Sequence, residues 1–270
     1  MQSALEKFSL KGRTAVVTGG SRGLGYDLAR ILAAAGAKVL ISARSEPALK
    51  QAAETLGREE NADVMYATVD LADRDSVKQF AEVAQKLLGQ VDIFVANAAM
   101  DARTLVDTID EEILAPLVNT NLDSNVILTK LFADGMKQRG WGRIIYISST
   151  ATVRTGHFGT GYYGATKAAL EAYARAVSVE LGPYGITANS VLPGAYFTEM
   201  VEESFASMGE EKSKPLLDSI SSMTSLGRWG KPEELAGAVL LFASDAGSYI
   251  TGQSLAVCGG LSIKKLPTEV

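Results

Sequence analysis

Residues 14–25 read Thr-Ala-Val-Val-Thr-Gly-Gly-Ser-Arg-Gly-Leu-Gly, and this stretch decides the fold class. Its first five residues are β-branched or small, which is typical of a short buried strand. Four glycines then precede an apolar helical run. Glycine permits a tight turn close to a bound group, and the start of a helix presents free N–H groups to an anion. The stretch therefore predicts a strand, a phosphate-binding turn and a helix.

The same alternation continues to the end of the chain. Short β-branched runs predict strands at 14–18, 38–42, 64–69, 93–96, 143–148, 187–192 and 255–257. Amphipathic stretches predict helices at 24–35, 47–56, 74–88, 111–138, 163–181 and 233–243. Strands that alternate with helices form a parallel sheet covered on both faces. We therefore expect an α/β protein, a single Rossmann-type doubly wound domain over residues 1–270 with a seven-stranded, mostly parallel sheet.

Composition limits the kinds of binding partner and the cellular compartment that we expect for this protein. The 270 residues carry a net charge of -5, which gives no general attraction to nucleic acid or anionic membranes. The chain lacks an apolar run long enough to cross a bilayer, and its first residues lack the apolar core of a signal peptide. A single cysteine, Cys258, and a single histidine, His157, argue against a disulfide framework and a catalytic metal. We expect a cytoplasmic protein that binds a small molecule, and neither nucleic acid nor a membrane.

Polar residues and glycines follow the later predicted strands in a characteristic order. They are Asp70, Asn97, Ala98, Asn121, Ser149, Tyr163, Lys167, Pro193, Gly194, Thr198, Gly259 and Gly260. Together with the Thr-Gly-x-x-x-Gly-x-Gly turn, this order resembles the short-chain dehydrogenase/reductase family over about residues 10–260. Ala96 and Ala99 depart from the family's Asn-Asn-Ala-Gly, and Cys258 departs from its Val-Asp-Gly-Gly.

The resemblance implies an oxidoreductase that moves a hydride between NADP(H) and a ketone or secondary alcohol. Its catalytic set would be Asn121, Ser149, Tyr163 and Lys167. Tyr163 would donate the proton, Ser149 would orient the substrate oxygen, and Asn121 would support a water relay. Lys167 lies four residues after Tyr163 on one helix face, so we expect its charge to lower the pKa of the phenol. In the family this lysine also holds the nicotinamide ribose.

The implied cofactor contacts lie along the carboxyl edge of the sheet. They are Gly19, Ser21, Arg22, Gly23, Leu24, Gly25, Arg44, Asp70, Leu71, Asn97, Ala98, Tyr163, Lys167, Pro193, Gly194, Tyr196 and Thr198. The choice of cofactor depends on the end of the second strand. Ala43 stands where NAD-binding folds carry an acidic residue, so nothing there repels a 2′-phosphate. Arg44 and Arg22 offer guanidinium groups that suit a phosphate, and the sequence therefore favours NADP(H).

The substrate stays open between two kinds of enzyme and one protein of another class. The first kind is a 3-oxoacyl-type ketone reductase, whose acyl substrate can be bound to a carrier. The second is a sugar or polyol dehydrogenase such as gluconate 5-dehydrogenase. The protein of another class is a non-catalytic NADP(H) sensor, which we disfavour because Tyr163 and Lys167 are both present.

Three further expectations concern assembly and the substrate side. Residues 198–228 are polar and lack a strand, and we favour a substrate lid over a helical surface excursion without a role. His157 either contacts substrate or faces solvent. The predicted helices at 111–138 and 163–181 carry more apolar residues than one sheet face requires, and with the family resemblance this implies a homotetramer.

Overall fold

The central sheet has the expected number of strands. The computed structural model describes residues 5–102, 104–154 and 159–263, and His157 lies outside them. Its strands β1 to β7 are Thr14–Thr18, Lys38–Ala43, Val64–Thr68, Ile93–Ala96, Gly142–Ile147, Ile186–Pro193 and Ser254–Val257. Their order in the sheet is β3-β2-β1-β4-β5-β6-β7, and every neighbouring pair is parallel. The prediction of a seven-stranded doubly wound sheet is confirmed.

Helices cover both faces of this sheet. Helices α1 to α9 are Gly23–Ala34, Glu46–Glu59, Arg74–Leu88, Leu114–Val118, Ser124–Arg139, Gly161–Leu181, Glu199–Met208, Glu210–Met223 and Pro232–Ala243. One apolar core joins α1, α2 and α9 to the sheet, and a second joins α3, α5 and α6 to the opposite face. Within β1, Ala15 and Val17 enter the first core whereas Val16 enters the second. Burial on both faces explains why the strands are almost wholly apolar.

The chain changes direction in the sheet at β1. This strand pairs with β2 on one side and with β4 on the other. In open α/β sheets, ligands bind in the crevice at the carboxyl ends of the two strands that flank such a switch point. The fold therefore places the loops that follow β1 and β4, with the glycine turn among them, around a ligand crevice.

The helix expected over residues 111–138 is interrupted, so the prediction of one continuous helix is wrong. A 3-10 turn at Glu111–Ile113 leads into α4, and a π-helical turn at Asn119–Asp123 separates α4 from α5. Such a turn frees backbone carbonyl groups from their usual helical partners. Side chains bind two of them, since the Ser124 hydroxyl donates to Thr120 O at 2.8 Å and the Asn125 amide to Asn121 O at 2.9 Å.

Residues 198–228 contain no strand, as expected, and fold into α7 and α8. An aromatic cluster of Phe197, Phe205 and Trp229, with ring centroids 5.8 to 6.4 Å apart, packs against the start of this segment. The Trp229 indole N–H also donates to the Leu217 carbonyl at 3.2 Å. Trp229 thus contacts α7 through Phe205 and α8 through Leu217, and the function of the segment as a lid stays a prediction.

Candidate active site

The glycine turn is packed too closely to admit side chains. The N–H groups of Gly19 and Gly20 donate to the Ser42 carbonyl at 2.7 and 3.1 Å, which joins the turn to the end of β2. Gly19 has a φ of +69°, and a Cβ there would lie 2.9 Å from the Asn97 amide nitrogen. A Cβ on Gly25 would overlap the Gly19 carbonyl oxygen. Glycine at 19 and 25 is therefore a packing requirement that brings α1 against the turn.

Asn97 and Thr18 hold this turn against the end of β4. The Asn97 amide donates to Thr18 O at 2.9 Å and to Gly19 O at 3.3 Å. The Thr18 hydroxyl accepts the backbone N–H groups of Asn97 and Ala98, both at 3.1 Å. The site therefore keeps its turn geometry although Ala96 and Ala99 depart from the family pattern. The sequence reasoning did not include Thr18 among the site residues, although it stands inside the quoted motif.

The start of α1 fits a dinucleotide phosphate. Arg22 is the residue before the helix, and its side chain does not cap the N–H groups of the first turn. A Cβ on Gly23 would meet nothing within 4 Å, so this side of the turn is open. Ser21 and Leu24 border it and are half-buried. Free N–H groups and the helix dipole favour an anion at such a place.

Two arginines lie close to this opening. Arg22 belongs to the turn, and Arg44 follows β2, to which the turn is hydrogen-bonded through Ser42. Both side chains are exposed, and neither forms an ion pair within residues 5–102, 104–154 and 159–263. Their charges are therefore available to an anionic group.

The loop after β3 borders the same crevice. One carboxylate oxygen of Asp70 accepts the Ala72 N–H at 3.0 Å, and the Ser76 hydroxyl accepts the Asp70 N–H at 3.0 Å. Leu71 is buried. The Asp70 side chain thus shapes its own loop and keeps a second carboxylate oxygen for a further partner.

The side chains that follow β6 mainly stabilise the fold. A Cβ on Gly194, which follows Pro193, would come within 2.6 Å of the Cys258 Cβ, so the backbone packs directly on that residue. The Tyr196 hydroxyl donates to Val257 O at 2.7 Å. The Thr198 hydroxyl accepts the Val201 N–H at 3.4 Å and caps α7. The side chains of Tyr196 and Thr198 therefore have structural partners, and contact with a cofactor would fall mainly to the backbone here.

Ser149, Tyr163 and Lys167 meet at the carboxyl edge of the sheet. Ser149 lies two residues after the end of β5, and its hydroxyl accepts the Ala151 N–H at 3.1 Å. The Ser149 side chain also lies beside the Tyr163 phenol and acts to lower its pKa, against the larger effect of burial. Tyr163 lies in the first turn of α6, and Lys167 lies one turn later. The structure therefore brings together the serine, tyrosine and lysine that the sequence singled out.

The charges at this centre differ from expectation. Burial, followed by the negative charge of Asp101, raises the pKa of Tyr163 to about 12, and the Ser149 hydrogen bond acts in the opposite direction. The Lys167 ammonium donates to the Ile147 carbonyl at 2.7 Å and lies 5.8 Å from the centre of the Tyr163 ring. Burial lowers the pKa of Lys167 to about 8. The prediction that Lys167 lowers the phenol pKa is wrong for this structure, because the ammonium binds the strand and desolvation dominates at the phenol.

Asn121 joins the loop after β4 to the catalytic helix. Its side chain accepts the Met100 N–H at 2.8 Å and donates to Met100 O at 3.0 Å. It also donates to the Thr166 hydroxyl at 3.1 Å, which in turn donates to Tyr163 O at 2.7 Å. Asn121 therefore positions the backbone on both sides of Tyr163. Thr166 was missed although it lies within the Tyr-x-x-x-Lys motif.

Membrane-spanning helices and clustered metal ligands are both absent from the described residues. Within residues 5–102, 104–154 and 159–263, helices are too short or too polar to cross a membrane. The same residues contain no group of three His, Cys, Asp or Glu side chains that could hold a metal ion. Cys258 is a buried free thiol.

A phosphate-binding turn at the switch point, with a Ser-Tyr-Lys centre beside it, defines an oxidoreductase of the Rossmann type that uses a nicotinamide cofactor. The family model described as enoyl-(acyl carrier protein) reductase matches residues 19–262. The chain belongs to the short-chain dehydrogenase/reductase family.

Relatives of two kinds are similar over nearly the whole chain. The 3-oxoacyl-[acyl-carrier-protein] reductase of Pseudomonas aeruginosa is 37% identical over 253 residues, which cover 94% of this chain and 98% of the relative. Gluconate 5-dehydrogenase of Gluconobacter oxydans is 32% identical over 256 residues, which cover 95% of this chain and 97% of the relative. The crystal structure of a gluconate 5-dehydrogenase from Burkholderia cenocepacia, in complex with NADP and tartrate, has a TM-score of 0.87 and 33% identity, covering 96% of this chain and 99% of that one.

Proposed function

We propose that this protein is an NADP(H)-dependent oxidoreductase that interconverts a ketone and its secondary alcohol, with Tyr163 as the proton donor in the direction of reduction. The observation that carries the proposal is the meeting of Ser149 and Tyr163 at the carboxyl edge of the sheet, with the buried Lys167 ammonium 5.8 Å from the centre of the Tyr163 ring. Few arrangements place a phenol, a hydroxyl donor and a buried cation beside a dinucleotide turn.

Each of the three side chains has a distinct role. Bound NADPH supplies the hydride. When a ketone is reduced, negative charge develops on its oxygen, and Tyr163 and Ser149 can donate hydrogen bonds to that oxygen. The raised pKa keeps the proton on Tyr163 near neutral pH, so the phenol is in the form that donates it. Lys167, whose ammonium is held by Ile147 O, would bind the nicotinamide ribose as the family resemblance implies, and Asn121 fixes the first turn of α6 through Thr166.

The preference for NADP(H) follows from charge at the end of β2. Ala43 brings no carboxylate, and Arg22 and Arg44 are exposed without ion pairs in the described residues. A 2′-phosphate is the group such guanidinium pairs bind best. The NADP complex of the Burkholderia gluconate 5-dehydrogenase, a relative with 33% identity, supports this choice. The remaining proposed contacts are the turn residues, Asp70, Leu71, Asn97, Ala98, and residues 193–198.

A free small molecule fits the substrate side better than a carrier-bound one. Residues 101–112 contain five acidic side chains and one arginine, and residues 199–211 contain five acidic side chains and no lysine or arginine. These segments follow β4 and β6 and therefore border the crevice. An acidic carrier protein would be repelled there. The similarity to gluconate 5-dehydrogenase keeps sugar ketones as a second candidate substrate class.

We further propose a cytoplasmic homotetramer. Large apolar side chains are exposed on α6 and around the edge strand β7, where Val179 is 76% exposed and Leu255 38% exposed. Tyr249, just before β7, is fully exposed. An exposed apolar surface is a common feature of subunit interfaces. Light scattering at micromolar concentration should give four times the chain mass, and a monomer would contradict the assembly.

The function is tested by a substrate screen with a matched variant. Ketones, 3-oxo esters, ketoses and the corresponding alcohols are incubated with NADPH, NADH or their oxidised forms, and nicotinamide absorbance is followed. Tyr163→Phe removes the transferable proton and little else, so we expect turnover to fall about a thousandfold or more while NADPH affinity changes less than about twofold. A variant that retains a few per cent of the activity would refute the assignment of Tyr163. Failure of every substrate with the wild-type protein, despite NADPH binding, would favour a non-catalytic sensor.

A further inference from the structure

Asp101 is held beside the catalytic tyrosine by contacts on either side of it in sequence. The residue before it, Met100, makes two hydrogen bonds with the Asn121 side chain, at 2.8 and 3.0 Å. Three residues after it, the Thr104 N–H donates to Gly159 O at 2.8 Å, just ahead of α6. The segment that carries Asp101 is thus fixed against both the buried asparagine and the chain that leads into Tyr163.

The carboxylate of Asp101 is exposed, and no cation among the described residues forms an ion pair with it. The Lys167 ammonium is committed to Ile147 O, and the Arg154 guanidinium donates to Leu261 O at 2.8 Å. The negative charge of Asp101 is strong enough at the phenol to help raise the pKa of Tyr163, second to burial. An anionic substrate group placed near the phenol would meet the same field.

We propose that Asp101 is a specificity-determining residue, which disfavours ketones with a negative charge next to the reacting carbonyl and leaves the site to ketones with neutral flanking groups. The inference rests on the proposed function, because it assumes that the reacting oxygen binds at Tyr163 and Ser149. It goes beyond that function by naming the substrate class. Free 3-oxo acids are poor substrates in this account, whereas their esters, simple ketones and hydroxyketones are good ones.

A pair of probes with the same reacting carbonyl isolates the charge. These probes are 3-oxobutanoate and its ethyl ester. Both carry the ketone at C3, and they differ in whether the C1 carboxyl group is ionised or esterified. Asp101→Asn removes the charge and keeps the size of the side chain. Asp107→Asn is the matched control, because Asp107 is exposed on the same loop and is not among the charges that act on Tyr163.

Two measurements are made on each protein. The first is the ratio of kcat/KM for the ester to kcat/KM for the acid, and we expect Asp101→Asn to lower this ratio about fivefold, as a single charge acting through partly aqueous surroundings would. The second needs no turnover: calorimetry measures binding of each probe to the enzyme–NADP⁺ complex, where the ketone cannot be reduced. Asp101→Asn should tighten binding of the acid by a similar factor and leave binding of the ester unchanged. High salt should narrow the difference in the wild-type protein.

The outcomes separate the two proposals. If neither probe is reduced but the binding difference responds to Asp101→Asn, the proposed activity fails on these ketones and the inference about Asp101 stands. If the ratio and the binding difference are the same in Asp101→Asn as in the wild-type protein, or shift equally in Asp107→Asn, the inference is overturned. Absence of measurable binding of the ester to any of the three proteins overturns it as well.

Discussion

The two sides of the active-site crevice are built by different means. On the cofactor side, Thr18 and Asn97 lock a glycine turn through short backbone contacts, and a Cβ at Gly19 or Gly25 would not fit. On the substrate side, residues 104–112 and 198–228 are irregular or helical and rich in acidic side chains. The cofactor side leaves little room for variation. The substrate side can change charge and shape without disturbing the sheet, which is how one fold serves many substrates.

Charge follows the same division. The cofactor side presents exposed arginines without ion pairs in the described residues, whereas the substrate side presents exposed carboxylates such as Asp101. Between them lies Lys167, a cation 1% exposed and bonded to a backbone carbonyl. We therefore propose that separate groups sense the charge of the cofactor and the charge of the substrate, so that each can be altered alone.

The largest effect on ligand binding that we expect from such a change is at Arg44. Arg44→Ala should raise the KM for NADPH tenfold or more, equivalent to about 1.4 kcal/mol or more of binding free energy, while the KM for NADH changes little. The reason is that only NADPH carries the 2′-phosphate that a guanidinium can bind. Steady-state kinetics with both cofactors measure the split, and added salt should weaken NADPH binding more than NADH binding.

Arg58→Ala is the matched control for this prediction. Arg58 is an exposed arginine in the last turn of α2, whose first residue follows closely after Arg44. It should leave both KM values unchanged. If Arg44→Ala raises the KM values for NADPH and NADH equally, or if the wild-type protein prefers NADH, then Arg44 does not bind the 2′-phosphate.

The sequence predicted the strand and the glycine turn of the cofactor side for a physical reason. Its contacts are backbone contacts between neighbouring strands, and they require glycine or a specific polar residue at each position, so the residue types themselves report the geometry. Strand bounds such as Thr14–Thr18 and Ile93–Ala96 agree with those predicted, because the runs that form them are short, apolar and bounded by turns.

Other features depend on packing that no local pattern reports. The π-helical turn at Asn119–Asp123 needs the side chains of Ser124 and Asn125 to bind carbonyls one turn back, and the apolar periodicity of residues 111–138 does not show this. The position of the Lys167 ammonium on Ile147 O depends on β5, which is distant in sequence. The position of Asp101 near Tyr163 depends on the hydrogen bonds that connect its segment to Asn121 and Gly159.

Replacing the buried Lys167 should have a smaller effect, on the free energy of unfolding. Burial lowers the pKa of Lys167 from 10.5 to about 8. This shift corresponds to a cost of about 3 kcal/mol for keeping the ammonium charged in the folded state, and the hydrogen bond to Ile147 O offsets part of that cost. Lys167→Met should therefore abolish activity and yet stabilise the fold by about 1 kcal/mol at pH 7, or about 2–4 °C in Tm. Thermal unfolding of both proteins over a series of pH values measures this.

The pH dependence of that gain has a definite sign. Below about pH 8 the lysine is charged in both the folded and the unfolded state, so the cost of burial is complete. From about pH 8 to 10.5 the folded state releases its proton first, and the wild-type protein becomes more stable relative to the variant. The advantage of Lys167→Met should fade over this range. A variant less stable than the wild-type protein at pH 7 would show that the Ile147 hydrogen bond outweighs desolvation.

The smallest effect concerns the substrate side, where we expect α7 and α8 to become more ordered when the crevice is filled. Their outer faces are exposed, and the aromatic cluster around Trp229 anchors the segment so that it can close without losing its attachment. Closure would exclude water from the hydride-transfer site. Amide hydrogen exchange of residues 199–223 should slow about threefold in the complex with NADP⁺ and a ketone, less than 1 kcal/mol, relative to the free protein. Helix α9, packed against α1 and the sheet, is the internal control and should not change. If residues 199–223 exchange equally in both states, the segment is a surface excursion, and the substrate side is as rigid as the cofactor side.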